Sequence, residues 1–182
     1  MIETIISNNC TGGAVMHELG MEFKSPTINL QILPEEYTRF CLYLKEYMNK
    51  ELIEYKNPSE VHIRYLNKMF GGVPDMPLGL LGDIVICFQH YGSFREGLIK
   101  WNQRKAKIDY DHIGYIFHAR GPEYRADAEL FSKVDLPNKL ILTQNFSIDG
   151  GVSFDGEGFS AVNGKLFITQ IYDYESWRNG KC

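Results

Sequence analysis

Short apolar runs alternate with amphipathic segments along this chain, and the alternation predicts an α/β fold. Runs of β-branched and apolar residues predict strands over residues 2–6, 27–33, 84–88, 113–117, 139–143 and 165–172. Helical spacing of apolar positions predicts helices over residues 14–19, 34–50, 94–106 and 126–134, and residues 62–69 are compatible with a short helix. Because strands and helices alternate, we expect a mostly parallel, Rossmann-like sheet with helices on both faces, forming three layers.

The most apolar run, residues 84–88, predicts a central strand of that sheet, because such a strand is covered on both faces. Asp83 and His90 flank this run at opposite ends. The strand rise separates them by roughly 23 Å, so they cannot belong to one site. His90 lies at the carboxyl end of the strand, where ligands of open α/β sheets bind, and Asp83 is expected to be structural.

The end of the chain changes character. Residues 145–164 are rich in glycine and polar residues. We therefore expect a single α/β domain over residues 1–182, in which residues 145–182 form a C-terminal extension. This extension is predicted to be an antiparallel hairpin or irregular.

Length and composition narrow the function classes. The chain has 182 residues, 44% of them hydrophobic and 23% charged, which suits one domain with its own core. The net charge of −4 argues against a nucleic-acid-binding protein. No run of 18 apolar residues and no signal peptide pattern is present, so we expect no membrane insertion and a cytoplasmic location.

Cysteine and histidine spacing gives no metal site. Cys10, Cys41, Cys87 and Cys182 include no C-x-x-C pair, so all four are expected to be free thiols. Cys41 and Cys87 lie in apolar segments and are predicted core residues. The Asp- and Gly-containing segment 149–158 does not follow the EF-hand order and is interpreted as turns.

The segment that best suits chemistry is the turn after the first strand, Ser7-Asn8-Asn9-Cys10-Thr11-Gly12-Gly13. It lies at the predicted carboxyl edge of the sheet and precedes a helix, whose N-terminal amides can hold an anion or oxyanion. Cys10 at that position is expected to have a lowered pKa and to suit a nucleophile. The alternative is a structural turn in which the Asn side chains bond to their own backbone.

A second candidate is the helix over residues 94–106, which carries Trp101 and Arg104. One interpretation is that these side chains contact a phosphate or sugar. The alternative is a solvated basic face with Trp101 turned into the core, as is usual for a large aromatic residue.

Four blocks resemble one bacterial family. They are Ile6-Ser7-Asn8-Asn9-Cys10-x-Gly12-Gly13, then Ser25-Pro26-Thr27, then Pro77-Leu78-Gly79-x-Leu81-x-Asp83-Ile84 with His90-Tyr91, and finally Lys100-Trp101-Asn102-x-Arg104. In this order, over residues 2–143, they resemble the DUF1919 family, whose members are often labelled exopolysaccharide or capsular polysaccharide biosynthesis proteins. Thr11 departs from the pattern, since an aromatic residue is expected there. A weaker likeness, confined to the Asn-Cys turn, is to coenzyme A-binding capsule acetyltransferases.

The resemblance implies a role in exopolysaccharide or capsule biosynthesis. Together with the thiol-bearing turn and His90, it leads us to expect a transferase that moves an acyl group from a coenzyme A-type donor to a sugar hydroxyl. Cys10 or Ser7 is then the nucleophile or its neighbour, and His90 the general base. The oxyanion would be stabilised by Asn8, Asn9 and the Gly12-Gly13 amides, and substrate would contact Tyr91, Trp101 and Arg104.

Two other functions fit the same residues. One is a glycosyl- or sugar-phosphate transferase that uses a nucleotide-sugar. The other is a non-catalytic subunit that binds a sugar or anion. In every case the expected partner is a carbohydrate or activated sugar, and the oligomeric state stays open.

Overall fold

A computed structural model describes residues 1–181 and shows an α/β architecture. The strands are β1 (Thr4–Ser7), β2 (Gln31–Ile32), β3 (Leu52–Glu54), β4 (Leu78–Leu81), β5 (Ile84–Cys87), β6 (Ile113–Ala119), β7 (Lys139–Gln144), β8 (Val152–Phe154), β9 (Ala161–Val162) and β10 (Lys165–Leu166). The helices are α1 (Thr11–Glu18), α2 (Pro34–Leu42), α3 (Leu44–Met48), α4 (Glu60–Phe70), α5 (Phe94–Lys105), α6 (Arg125–Lys133) and α7 (Tyr174–Arg178). Short 3₁₀ turns cover Pro122–Tyr124 and Phe167–Thr169.

One sheet is parallel throughout, in the order β1-β6-β7-β8. Along β1, Ile6 faces a core that it shares with α2 and α6, whereas Ile5 faces a second core that it shares with α1 and α7. This alternation is the pleat of a strand buried on both faces. The predicted three-layer α/β fold with a parallel sheet is therefore confirmed.

A second, antiparallel sheet has the order β2-β5-β4-β3. The prediction that residues 84–88 form a central strand of the parallel sheet is wrong, because β5 lies in this other sheet. A two-residue turn at Gly82-Asp83, with Gly82 at φ 66°, joins β4 to β5 as a hairpin. The run is apolar because one face of β5 packs on the main core and the other packs with Leu66 of α4.

Several element boundaries also differ from those predicted. Only Gln31–Ile32 of the predicted strand 27–33 pairs in a sheet, and the predicted helix 34–50 is interrupted at Tyr43. The predicted strand 165–172 is reduced to β10, which forms a short hairpin with β9 before the 3₁₀ turn. Among residues 1–181, no helix is both long and apolar enough to cross a lipid bilayer.

Candidate functional site

The turn after β1 is held by Asn8, whose side chain is buried between the two sheets. Asn8 Oδ1 accepts a hydrogen bond from the His118 amide (2.8 Å), and Asn8 Nδ2 donates to the His118 carbonyl (3.1 Å). The Asn8 carbonyl accepts from the Ile32 amide of β2 (2.8 Å). Asn8 thus joins β6 of the parallel sheet to β2 of the antiparallel sheet, and both of its side-chain polar atoms are already used.

Asn9 and Ser7 organise the first turn of α1. Asn9 Oδ1 accepts a hydrogen bond from the Thr11 amide (3.0 Å), which satisfies one of the unpaired donors at the helix N-terminus. Ser7 Oγ accepts a longer hydrogen bond from the Asn9 amide (3.5 Å). Ser7 is 1% exposed, so its hydroxyl is a buried part of the turn and is poorly placed to be the nucleophile.

The two glycines of the turn allow α1 to pack closely. A Cβ atom on Gly12 would lie 2.7 Å from Ser7 Cβ, and one on Gly13 would lie 3.2 Å from Ile28 Cγ2. Any larger residue at Gly12 would therefore push α1 away from β1.

The structure brings Cys10 and His90 together. Cys10 immediately precedes α1, and His90 follows β5 in the other sheet. Cys10 Sγ lies 3.3 Å from His90 Nε2 and 3.5 Å from Gln89 Oε1. The thiol hydrogen can be donated to either atom, and the partly buried thiol and the exposed imidazole are adjacent enough to exchange a proton.

The Cys10 thiol is protonated in the resting protein. Burial raises the pKa of Cys10 to about 11, and the nearby positive charge of Arg120 offsets only part of this effect. The expectation that the helix N-terminus lowers this pKa is therefore wrong, because desolvation of the thiolate outweighs the other influences. Thiolate formation requires a proton acceptor, and His90 is in place for that role.

A cavity of about 220 Å³ lies at the carboxyl edge of the parallel sheet. Its lining is mainly polar and includes Asn8, Asn9, Gln31, Pro34, Met69, His118, Arg120, Glu123 and Tyr124. Sequence reasoning identifies Asn8 and Asn9 but misses the residues that follow β6. The available signal was that Arg120 comes directly after a buried strand, at the sheet edge where ligands bind.

His118 lies beneath the turn as a buried, neutral imidazole. The Nδ1 atom of His118 is 2.9 Å from Thr11 Oγ1, and its ring packs against Phe154 and Phe159. Burial, with a further contribution from the charge of Arg120, lowers the pKa of His118 to about 3. Thr11, where the resemblance predicts an aromatic residue, thus contributes a hydroxyl that contacts this imidazole.

The other predicted substrate contacts are not brought to the cavity. Arg104 Nη1 donates to Tyr91 Oη (2.8 Å) and to the Ile28 carbonyl (3.0 Å), so Arg104 and Tyr91 support the loop before β2. Trp101 is 1% exposed and belongs to the main core, which excludes a ligand contact through an accessible indole.

The described cysteines and the remaining acidic residues give no metal centre. Cys10, Cys41 and Cys87 are free thiols, the latter two buried, and Cys182 lies outside the described residues. Within residues 1–181, no group of three or more His, Cys, Asp or Glu side chains is arranged to hold a metal ion.

Comparison with known proteins places this site in a family. A protein of Haemophilus influenzae (strain ATCC 51907 / DSM 11121 / KW20 / Rd), described as an uncharacterized protein, is 28% identical over 188 residues, which span 97% of this chain and 84% of the relative. The family model of a domain of unknown function, DUF1919, matches residues 2–177. Since this match covers nearly the whole chain, including both sheets and the Cys10–His90 pair, the chain belongs to the DUF1919 family.

Proposed function

We propose that this protein is an acyltransferase that uses Cys10 as a covalent nucleophile and acts on a sugar hydroxyl in exopolysaccharide or capsular polysaccharide biosynthesis, in the cytoplasm. The observation that supports it best is the 3.3 Å separation of Cys10 Sγ and His90 Nε2. A thiol and a histidine within hydrogen-bond reach are the minimum set for nucleophilic acyl transfer.

The reaction proceeds in two balanced steps. Cys10 Sγ attacks the acyl carbon of a thioester donor of the coenzyme A type while His90 accepts the thiol proton, and the leaving thiolate takes that proton from His90. In the second step the sugar hydroxyl attacks the new Cys10 thioester. His90 accepts the hydroxyl proton and returns it to the Cys10 sulfur, so the resting thiol is restored.

The oxyanion of each step needs hydrogen-bond donors near Cys10. The N-terminal amides of α1, including those of Gly12 and Gly13, are the nearest backbone candidates, because the first amides of a helix have no intrahelical partner. The Thr11 amide already bonds to Asn9 Oδ1. We assign Asn9 and Asn8 to the architecture of the turn, in which the buried Nδ2 of Asn9 has no partner among the described residues.

Acylation of Cys10 tests the proposal directly. Wild-type protein incubated with acetyl-coenzyme A should gain one acetyl group on Cys10, detected by intact and peptide mass spectrometry, and the Cys10→Ala variant should gain none. The His90→Ala variant should acylate roughly 10²- to 10⁴-fold more slowly, since this is the usual contribution of a general base. His112→Ala, a change at an exposed histidine that pairs with Asp109, is the matched control and should behave as wild type.

A non-catalytic, ligand-binding role is the second candidate, and the raised pKa of Cys10 favours it. In that case the thiol is a hydrogen-bond donor in a binding site. No adduct on Cys10 with any short acyl thioester would reject the transferase in favour of binding, and equal acylation rates for wild type and His90→Ala would reject His90 as the general base.

A further inference from the structure

Asn9 lines the cavity, whereas Cys10 and His90 do not, and Asn9 carries a buried donor that the protein does not use. Asn9 is 2% exposed, and its Oδ1 atom is occupied by the Thr11 amide. Its Nδ2 atom is buried and has no hydrogen-bond partner among residues 1–181. An unpaired buried donor is unfavourable, so a ligand group that accepts a hydrogen bond from it would gain affinity.

Arg120 supplies a positive charge at the same cavity. Within the described part of the chain, no carboxylate lies within 4.0 Å of its guanidinium, although the guanidinium stacks 5.6 Å from the centre of the Phe159 ring. His118, the other basic side chain of the lining, is neutral because burial lowers its pKa to about 3. The side chain of Gln144 also contacts that imidazole. The unpaired amide of Asn9, rather than His118, is therefore the better candidate for a hydrogen-bond donor to a ligand.

Glu123 and Tyr124 complete the lining on the side of the 3₁₀ turn. An exposed carboxylate in the same lining as Arg120 disfavours a bare inorganic anion but accepts hydrogen bonds from hydroxyl groups. The volume of about 220 Å³ is below the range of roughly 300–1,000 Å³ that whole small-molecule sites occupy. The cavity therefore suits one hydroxyl-bearing unit of a larger ligand.

From this lining we infer that the cavity binds a negatively charged sugar unit, with Arg120 as the charge partner and Asn9 Nδ2 as a hydrogen-bond donor. The charged group is a carboxylate or a phosphate, and the sugar hydroxyls face Glu123. The inference rests on the proposed function in its choice of a sugar, and it names the acceptor as an acidic sugar or a sugar phosphate. The charge of Arg120 also acts on the Cys10 thiol, which places the cavity within electrostatic reach of that sulfur.

Binding without turnover tests this inference. Glucuronate, glucose 1-phosphate and uncharged glucose are titrated at constant ionic strength into the full chain carrying Cys10→Ala, with calorimetry and melting temperature as readouts. Both charged sugars should bind and raise the melting temperature, and the tighter of the two identifies carboxylate or phosphate as the preferred group. Equal binding of glucose and the charged sugars, or no binding of either charged sugar, would overturn the assignment.

Substitution at Arg120 separates charge from shape. Arg120→Gln should weaken binding of the charged sugar by roughly ten- to a hundredfold, the usual worth of a hydrogen bond to a charged group. Arg120→Lys should retain part of the affinity, because it keeps the charge. Arg95→Gln removes the same charge from an exposed position on α5 and should bind as the parent does.

The two proposals fail separately. If Arg120→Gln binds the charged sugars as tightly as the parent, the cavity assignment is wrong even when Cys10 is acylated. If Cys10 is never acylated but the charged sugars bind through Arg120, the transferase is wrong and the cavity assignment stands.

Discussion

At the scale of single residues, burial and charge together determine the pKa of one thiol, that of Cys10. Cys10 is half-buried beside an exposed histidine, and burial raises its pKa to about 11 although the charge of Arg120 and a backbone hydrogen bond act in the opposite direction. A thiol in this state is inert until a base removes its proton. Such a site limits unwanted oxidation and alkylation, because the thiolate is the reactive form.

The pH dependence of Cys10 alkylation follows from these two effects. At pH 8 roughly one Cys10 in a thousand should be thiolate, against about a tenth for a thiol of pKa 9, so iodoacetamide should label Cys10 slowly and ever faster up to about pH 11. Arg120→Gln should move this profile to still higher pH, because the lost positive charge stabilised the thiolate. The profile is obtained from peptide mass spectrometry of Cys10 across a pH series.

Arg95→Gln is the control for the alkylation profile, since it removes an exposed charge on another element. A labelling midpoint below pH 9 in the wild-type protein would show that the helix N-terminus and His90 outweigh burial. An unchanged midpoint in Arg120→Gln would show that Arg120 does not act on this thiol.

At the scale of elements, the site is a junction in which one strand, one helix and one hairpin meet. Asn8 pairs with the backbone of His118 in β6 and, through its own carbonyl, with Ile32 of β2. This junction brings the end of β5, and with it His90, over the N-terminus of α1. The spacing of α1 from β1 is therefore as important to the Cys10–His90 distance as the two side chains are.

Gly12 controls that spacing. Gly12→Ala would place a Cβ 2.7 Å from Ser7 Cβ, so α1 must shift, and we expect a loss of about 1–3 kcal/mol in the free energy of unfolding, the usual cost of overpacking. Chemical denaturation measures it. Gly72→Ala is the matched control, because a Cβ added at Gly72 would meet nothing within 4 Å, and it should cost little. Equal stabilities of the two variants would contradict this account of the turn.

The sequence predicts β1, β6 and β7 of the parallel sheet, because local patterns determine them, but β8 joins this sheet in parallel from the segment expected to be an antiparallel hairpin or irregular. Ser93 likewise accepts from the Glu96 amide and starts α5 where its side chain predicts an N-cap. The sequence does not predict the partners of β5, because an apolar run indicates burial on both faces but does not indicate which sheet contains the strand. The expectation that His90 lies at the edge near Cys10 rests on a parallel β5, and His90 reaches that edge from the antiparallel sheet instead.

Local sequence patterns likewise do not predict which side chains line the cavity together. Asn9 and Cys10 are adjacent in the chain and stand out as a polar turn, whereas Arg120 and Glu123 are separated from them by about a hundred residues. Only the pairing of β1 with β6 brings the two segments to one edge. Contacts of this kind depend on the register between distant strands, which no local pattern specifies.

At the scale of the whole molecule, a buried acid of α2 joins this helix to β5 of the antiparallel sheet and to α4. Glu36 Oε2 accepts from the Val85 amide of β5 (2.7 Å), and Glu36 Oε1 lies 3.0 Å from His62 Nε2 of α4. Burial raises the pKa of Glu36 to about 7 and lowers the pKa of His62. Both shifts disfavour charge, so below about pH 7 the pair is a hydrogen bond from a protonated carboxyl rather than an ion pair.

This buried acid predicts a pH dependence of stability with a definite sign. The folded protein holds the Glu36 proton more tightly than the unfolded chain, so the contribution of Glu36 is complete below pH 4.5 and is lost as pH rises to about 7, by up to roughly 3 kcal/mol. His62 acts oppositely, since its lowered pKa makes protonation below about pH 6.5 destabilising.

The Glu36→Gln variant removes the effect of Glu36 and retains that of His62. Its free energy of unfolding should therefore increase relative to that of wild type between pH 5 and pH 8, as measured by urea denaturation at each pH. Glu60→Gln, an exposed change on α4, should run parallel to wild type. A constant difference between Glu36→Gln and wild type would mean that Glu36 keeps one protonation state throughout, and that the acid joining α2, α4 and β5 is an ion pair after all.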